Sequence, residues 1–196
     1  MNPSSDPHQI VAVLLAAGRG KRFDPAGQQD KLLQRLPNGQ LVATQAALNL
    51  KAVFERVIAV VRPGQQQLMQ SLEDAGCETT VCIDADDGMA SSLQRGLKVA
   101  GDAAGWLVAL ADMPFVQVDT LRRLRSGLEQ GHQLVAPSCN GRRGNPVGIG
   151  SQHLAALLQL RGDQGARALL TSCPVELIDV SDPGIHQDID KPSDLR

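Results

Sequence analysis

Short apolar runs, each stopped by polar, glycine or proline punctuation, alternate along this chain with stretches of helical spacing. Ile10–Ala16, Val57–Val61, Thr79–Ile83, Trp106–Ala111, Gln133–Ala136, Val147–Ile149 and Val175–Asp179 read as strands. Between them, Leu41–Val53, Gln65–Ala75, Met89–Ala100, Val118–Gln130, Ser151–Leu160 and Asp163–Ser172 read as helices. Strands that alternate with helices build βαβ units, so the expected fold class is α/β with a mostly parallel sheet. Aromatic residues are scarce, with three Phe, one Trp and no Tyr, so the core must rest on Leu, Val, Ile and Ala, as parallel sheets allow. No repeat or long linker divides the sequence. Residues 10–196 are expected to form one domain, and the polar, proline-containing residues 1–9 a disordered tail.

In such a sheet, ligands bind beyond the carboxyl ends of the strands. Ile10–Leu15 ends abruptly in Ala16-Ala17-Gly18-Arg19-Gly20-Lys21-Arg22-Phe23, with Lys31 shortly after. A buried strand emptying into a glycine-rich basic loop offers backbone amides with cations beside them, which suits a polyphosphate; the alternative is an ordinary turn with solvated cations. Phe23 stands where a dinucleotide fingerprint needs its third glycine, and no Asp or Glu follows near residues 35–40 to hold a ribose. Nor does Gly20-Lys21-Arg22 satisfy a P-loop. Trp106–Ala111 ends in Asp112-Met113-Pro114, so Asp112 sits at a strand end, either capping a turn or ready for a hard cation. Asp188 and Asp190 flank Ile189 and share one face if the segment is extended; the alternative is a solvated acidic tail. Gly88-Met89-Ala90-Ser91-Ser92 places hydroxyls at a helix start, to cap it or to meet a nucleoside. Arg142-Arg143-Gly144-Asn145-Pro146 suits a second anion, or is an exposed turn.

The net charge of −2 and the lack of stacking aromatics exclude a general nucleic-acid binder. Cations are local, which favours a small anionic ligand. Cys77, Cys82, Cys139 and Cys173 have no CxxC pairing, so they are expected to be reduced, mostly buried thiols of a cytoplasmic protein. No segment reaches membrane-spanning length.

Taken in order, Leu15-Ala16-Ala17-Gly18-Arg19-Gly20-Lys21-Arg22 with Lys31, Gly88–Leu93, Ala111–Pro114, Gly144–Val147, Gly162–Arg167 and Asp188-Ile189-Asp190 resemble the MobA-like nucleotidyltransferases. The likeness is strongest to the molybdenum cofactor cytidylyltransferase branch. It implies a three-layer α/β/α Rossmann-like nucleotidyltransferase fold with a mixed sheet. It implies transfer of a nucleoside monophosphate from an NTP to a phosphorylated acceptor, with release of pyrophosphate. Ala17, where guanylyltransferases carry glycine, favours CTP, and the branch implies molybdopterin as acceptor, with a molybdoenzyme or its maturation chaperone as partner. Guanylyl or sugar-1-phosphate transfer, and a non-catalytic nucleotide-binding chaperone, are the alternatives.

The same likeness implies Mg²⁺ on Asp112 and Asp190, with Asp188 as a less favoured second ligand. Lys31 would neutralise the α-phosphate. Arg22 and the amides of Gly18, Arg19, Gly20 and Lys21 would hold the β- and γ-phosphates. Leu15, Ala16 and Ala17 with Gly88, Met89, Ser91 and Ser92 would line the nucleoside. Arg143, Gly144, Asn145 and Pro146 would face the acceptor. Three departures stand out: Asp24 replaces the glycine expected after Arg22-Phe23, the segment Asp24-Pro25-Ala26-Gly27-Gln28-Gln29 lengthens the loop before Lys31, and Lys191 replaces the common threonine after Asp190.

Overall fold

The computed structural model describes residues 9–20, 22–26 and 28–195. Most of the expected tail lies outside that range, but Gln9 is described, and its carbonyl accepts from the Ala104 amide at 3.0 Å. Eight strands form one mixed sheet: β1 (Ile10–Leu15), β2 (Val57–Val61), β3 (Glu78–Val81), β4 (Gly105–Leu110), β5 (Leu134–Cys139), β6 (Arg142–Arg143), β7 (Val147–Gly150) and β8 (Glu176–Asp179). Their order is β3-β2-β1-β4-β7-β5-β6, with β8 paired to β5. The β1–β2, β1–β4, β2–β3 and β5–β8 pairs are parallel, and β4–β7, β5–β6 and β5–β7 antiparallel.

The helices are α1 (Val42–Lys51), α2 (Gln66–Asp74), α3 (Met89–Ala100), α4 (Val118–Glu129), α5 (Leu154–Leu157) and α6 (Leu169–Ser172). The alternation of side chains along β1 sorts them into two layers. Ile10, Ala12 and Leu14 pack with Ala46 and Leu50 of α1, Leu68 of α2 and Leu124 of α4. Val11, Val13 and Leu15 pack on the other face with Leu93 and Leu97 of α3, Leu157 of α5 and Leu170 of α6. Helices therefore cover both faces of the sheet, giving three α/β/α layers.

Three expected elements differ. The strand expected to stop before Pro137 runs through it to Cys139. Pro137 lies between the residues that pair with β7 and those that pair with β6, so its missing N–H falls in a gap on that edge of β5, while on the other edge it pairs with Ile178 of β8. The helix expected over Ser151–Leu160 is a 3₁₀ turn followed by the single-turn α5. The one expected over Asp163–Ser172 is a 3₁₀ segment, Gly162–Ala168, broken at Gly165 (φ 49°, ψ −163°), before α6. A glycine in that conformation ends a helix that side-chain periodicity alone would carry through.

The chain leaves β8 for a 3₁₀ turn at Pro183–His186 and continues to Asp190. Asp182 secures that path. Its carboxylate is 1% exposed and accepts from the Gln117 amide (2.9 Å), the Thr120 hydroxyl (2.7 Å) and the Gly184 amide (2.9 Å). Asp182→Ala leaves three donors without that acceptor, those of Thr120 and Gly184 in buried positions. The expected cost is about 3 kcal/mol, or a melting temperature lower by roughly 6–12 °C, measured by thermal denaturation. No described helix is long and apolar enough to cross a membrane. Cys77, Cys82 and Cys139 are buried and Cys173 is half-buried, all unpaired. Burial pushes the Cys77 thiol up to about 11, which makes it a poor nucleophile near neutrality.

Candidate active site

The sheet reverses its winding at β1, which pairs with β2 on one edge and β4 on the other. The carboxyl ends of β1 and β4 lie where the strand order reverses, the place at which open α/β sheets bind ligands. Leu15 and Leu110 are register partners at the carboxyl ends of these strands. The Ala111 amide donates to the Leu15 carbonyl at 3.0 Å, so the glycine-rich loop and Asp112 start from adjacent points.

A cavity of about 540 Å³ opens here. Leu15, Ala17, Gly18, Arg19, Gly20, Lys31, Gly88, Met89, Ser92 and Asp112 line it, all of them expected at the site. Asp163, from the Gly162–Arg167 motif to which no role was given, lines it as well, with Ala85 and Asp86, which no motif included. Lys31 stands in a 3₁₀ turn, Lys31–Leu33, whose Asp30 cap accepts from the Leu32 amide (2.9 Å) and from Gln65 Nε2 (2.7 Å). Asp24 organises the inserted loop before it, accepting from the amides of Ala26 (2.9 Å), Gln28 (2.7 Å) and Gln29 (2.7 Å). The residue that departs from the expected glycine thus folds the insertion.

Cations from the start of the chain meet carboxylates from its middle and end. The Lys31 side chain, in a residue only 8% exposed, donates to Asp112 Oδ2 at 2.6 Å and reaches Asp190 Oδ1 at 3.5 Å. Arg22 Nη1 donates to Asp190 Oδ2 at 2.9 Å. That hydrogen bond, and then the Asp190 charge, raise the Arg22 guanidinium above its ordinary value, as Asp86 does for Arg19. The Ile189 amide donates to the Asp112 carbonyl at 2.8 Å, which brings the terminal segment alongside Asp112. Ile189 is fully buried, Asp190 half-buried and Asp188 exposed. Burial pushes the Asp194 carboxyl up, but hydrogen bonds from the Asp190 and Lys191 amides outweigh it and hold it low, fastening the last turn.

The two carboxylates fit a divalent cation. Asp112 Oδ1 is buried with no hydrogen-bond partner among the described residues, whereas Oδ2 takes the Lys31 ammonium. An orphaned carboxylate oxygen beside an ammonium is an incomplete coordination set. Mg²⁺ characteristically takes one or two carboxylates and fills its remaining positions with water and substrate phosphates. Among the described residues no group of three His, Cys, Asp or Glu could hold a metal, so a structural cluster site is not the alternative.

Not every expected residue faces this cavity. Ser91 lines a separate groove on the outer side of α3. Ala16 is buried, and its amide donates to the Val60 carbonyl at 2.8 Å. Lys21 lies outside the described residues. Gly88 closes the floor: it adopts φ 109°, and a Cβ there would stand 2.3 Å from the Gly162 carbonyl carbon, so the turn must be glycine.

A second cavity of about 370 Å³ adjoins the first and shares Met89, Leu110 and Asp163 with it. Arg143, Gly144 and Asn145 line it, and Arg143 Nη1 donates to the Leu170 carbonyl at 3.0 Å. Pro146 lines instead a small void beside Ala46 and Leu121, so it does not face this cavity. Arg19 and Asp86 form an ion pair across the mouth of the first cavity (Nε–Oδ1 2.6 Å). The signal for Asp86 was present in the acidic run Asp84-Ala85-Asp86-Asp87 ahead of Gly88, which reads as a solvated turn without the facing loop.

Residues 12–177 match the MobA-like NTP transferase domain. Nicotine blue oxidoreductase of Paenarthrobacter nicotinovorans is 33% identical over 191 residues, covering 92% of each chain. The crystal structure of Rv0371c from Mycobacterium tuberculosis H37Rv superposes with a TM-score of 0.81 at 25% identity, covering 95% of both chains. That protein has also been crystallised with manganese (TM-score 0.72, 25% identity, 88% of both chains). A nucleotidyl transferase from Methanothermobacter superposes with a TM-score of 0.78 at 27% identity, covering 95% of this chain and 94% of that one.

Proposed function

The chain belongs to the MobA-like NTP transferase family, and from that membership we propose that it transfers CMP from CTP to the phosphate of a molybdopterin acceptor. A phosphate oxygen of the acceptor attacks the α-phosphorus of the NTP. The bond from that phosphorus to the β-bridging oxygen breaks, pyrophosphate leaves, and a new phosphoanhydride joins acceptor and nucleoside monophosphate. The attacking oxygen is already anionic at pH 7, so the barrier is repulsion and alignment rather than proton removal.

The observation that carries this reading is the meeting of Lys31 with Asp112 and Asp190 at the edge of a cavity walled by the glycine-rich loop. Asp112 and Asp190 would hold Mg²⁺, which supplies charge neutralisation to the triphosphate when bound. Lys31 meets the charge that grows on the α-phosphate. Arg22 and the loop amides hold the outer phosphates. The α3 N-terminus (Gly88, Met89, Ser92) borders the nucleoside, and Arg143 and Asn145 face the acceptor from the adjoining cavity. The preference for CTP rests on Ala17, and a cytoplasmic location on the reduced cysteines.

A second reading is favoured by the name of the Paenarthrobacter relative: oxidoreductase chemistry in the same cavity. Against it, Phe23 occupies the position of the third dinucleotide glycine, and a Lys–Asp–Asp cluster has no evident use in hydride transfer. One experiment separates the readings. Purified protein with Mg²⁺ is given CTP, GTP, ATP or UTP together with molybdopterin or a sugar 1-phosphate, and pyrophosphate is measured. CTP with molybdopterin is expected to exceed every other pair by about tenfold or more in kcat/KM. A GTP optimum moves the protein to guanylyl transfer. Nucleotide binding without pyrophosphate from any pair makes it a carrier. Oxidation of a reduced nicotinamide without pyrophosphate makes it an oxidoreductase.

A further inference from the structure

A cavity of about 890 Å³, larger than the nucleotide cavity, is an open groove on the outer side of α3. One wall is the edge of the sheet, where β3 pairs only with β2 and the chain continues through Ile83. The other wall is the turn after α5, which Gln94 Nε2 ties to α3 through the carbonyls of Leu158 (3.0 Å) and Leu160 (2.9 Å). Ser91, Gln94, Arg95 and Lys98 stand at helical spacing along the α3 face between these walls, a stripe about 10 Å long. Arg161 faces it from the far wall.

Two properties of this groove are unusual together. Val81, Ile83 and Leu158 line it, and they are three of the six exposed large apolar side chains among the described residues; Ile83, at 78%, is the most exposed of them. Exposed apolar side chains gathered on one surface mark an interaction site, whereas scattered ones need no explanation. The charges beside them are not balanced: Arg95, Lys98 and Arg161 face Asp84 and Asp87, in a chain whose net charge is negative. Arg95 Nε is anchored to Thr80 Oγ1 at 2.8 Å, which fixes that guanidinium against the β3 edge. A small free anion would use the cations but leave Ile83 and Leu158 in water. A single-stranded nucleic acid would need stacking aromatics, and none lines the groove.

We propose that this groove docks an acidic, leucine-bearing segment of a partner protein, whose apolar side chains cover Ile83 and Leu158 while its carboxylates meet Arg95, Lys98 and Arg161. The surface is separate from the nucleotide cavity, so the inference does not depend on the reaction. The two lie back to back, however: the Gly88–Gly162 backbone contact stands between them. A docked partner is therefore one wall away from the nucleotide.

The test is a random-peptide display library panned on the full chain and counter-selected on an Ile83→Ser, Lys98→Glu, Arg161→Glu variant. The enriched sequences are expected to be acidic with interspersed leucine-like residues. The best of them, fluorescently labelled and titrated, is expected to bind the variant about tenfold or more weakly than the wild type and to weaken with added salt. If the triple variant fails to fold, Lys98→Glu alone, on an exposed helix face, is expected to weaken the same peptide several-fold. Neutral or basic enriched sequences, equal binding to the folded variant, or an oligonucleotide that competes for the groove with higher affinity would each overturn the proposal.

Discussion

Asp112→Ala is expected to lower kcat by about a thousandfold, some 4 kcal/mol of transition-state stabilisation, while the protein stays folded. The asymmetry follows from where Asp112 sits. Its backbone is held by the turn that follows β4, in which Met113 bonds back to Leu110, and by the Ile189 amide on its own carbonyl, and neither depends on the side chain. Its carboxylate makes one bond, to Lys31, and leaves Oδ1 buried and unmet. Removing it would delete the proposed metal ligand but also removes an unsatisfied buried oxygen, so the melting temperature should move by only a few degrees. Asp112→Asn keeps the shape and loses the charge, and it is expected to be nearly as inactive. Asp190→Ala should be milder, because Asp190 is more exposed and shares its charge with Arg22. The measurements are pyrophosphate release at saturating Mg²⁺ and thermal denaturation of the same preparations. Near-normal turnover of Asp112→Ala would remove the metal role. Loss of turnover together with collapse of the fold would make Asp112 a structural residue.

The site was legible in the sequence wherever a side chain's position follows from its distance along one element. Leu15, the glycine-rich loop and Asp112 sit just beyond apolar runs whose ends are visible in composition, and parallel pairing brings those ends together. Asp190 was expected together with Asp188, because extended chain alternates. What joins Asp190 to Lys31, across a separation of 159 residues, is tertiary: it is set by the buried Asp182 and by the Ile189–Asp112 hydrogen bond, and Asp188 stays exposed. The misplacements share one cause. Ser91 and Ser92 are adjacent on α3 and so differ by about 100° around its axis; one faces the nucleotide cavity and the other the outer groove. Pro146 follows Asn145 in sequence but points to a different void. Pro137 and Gly165 misled in opposite directions: the proline sits where the ladder has a gap, and the glycine breaks a run that periodicity would have continued. Asp86 lies in an acidic run and Asp163 in the Gly162–Arg167 motif, but that they border this cavity follows only from what faces them from other loops.

Lys31→Ala is expected to lower kcat by about a hundredfold or more while changing NTP affinity by only a few-fold. The ammonium of a lysine that is 8% exposed, held between two carboxylates, is already largely desolvated. In the ground state its charge is shared with Asp112 and Asp190, so it contributes little net attraction to an arriving triphosphate. When a cation occupies the carboxylates, that sharing weakens, and the ammonium becomes available to the phosphate on which charge is rising. Its stabilisation is then larger in the transition state than in the bound substrate, which is the condition for an effect on kcat rather than on KM. The same reasoning gives the variant a second signature. Without the lysine, Asp112 and Asp190 lose the ammonium that both contact, and their repulsion favours any divalent cation that enters. Mn²⁺ is therefore expected to bind Lys31→Ala several-fold more tightly than the wild type when nucleotide is absent, as read by titration calorimetry. Lys31→Arg should not restore turnover, because a planar guanidinium cannot replace a compact ammonium in so closed a place. A pure rise in KM would reduce Lys31 to a docking cation, and unchanged Mn²⁺ affinity would mean that its ammonium does not compete with metal for these carboxylates.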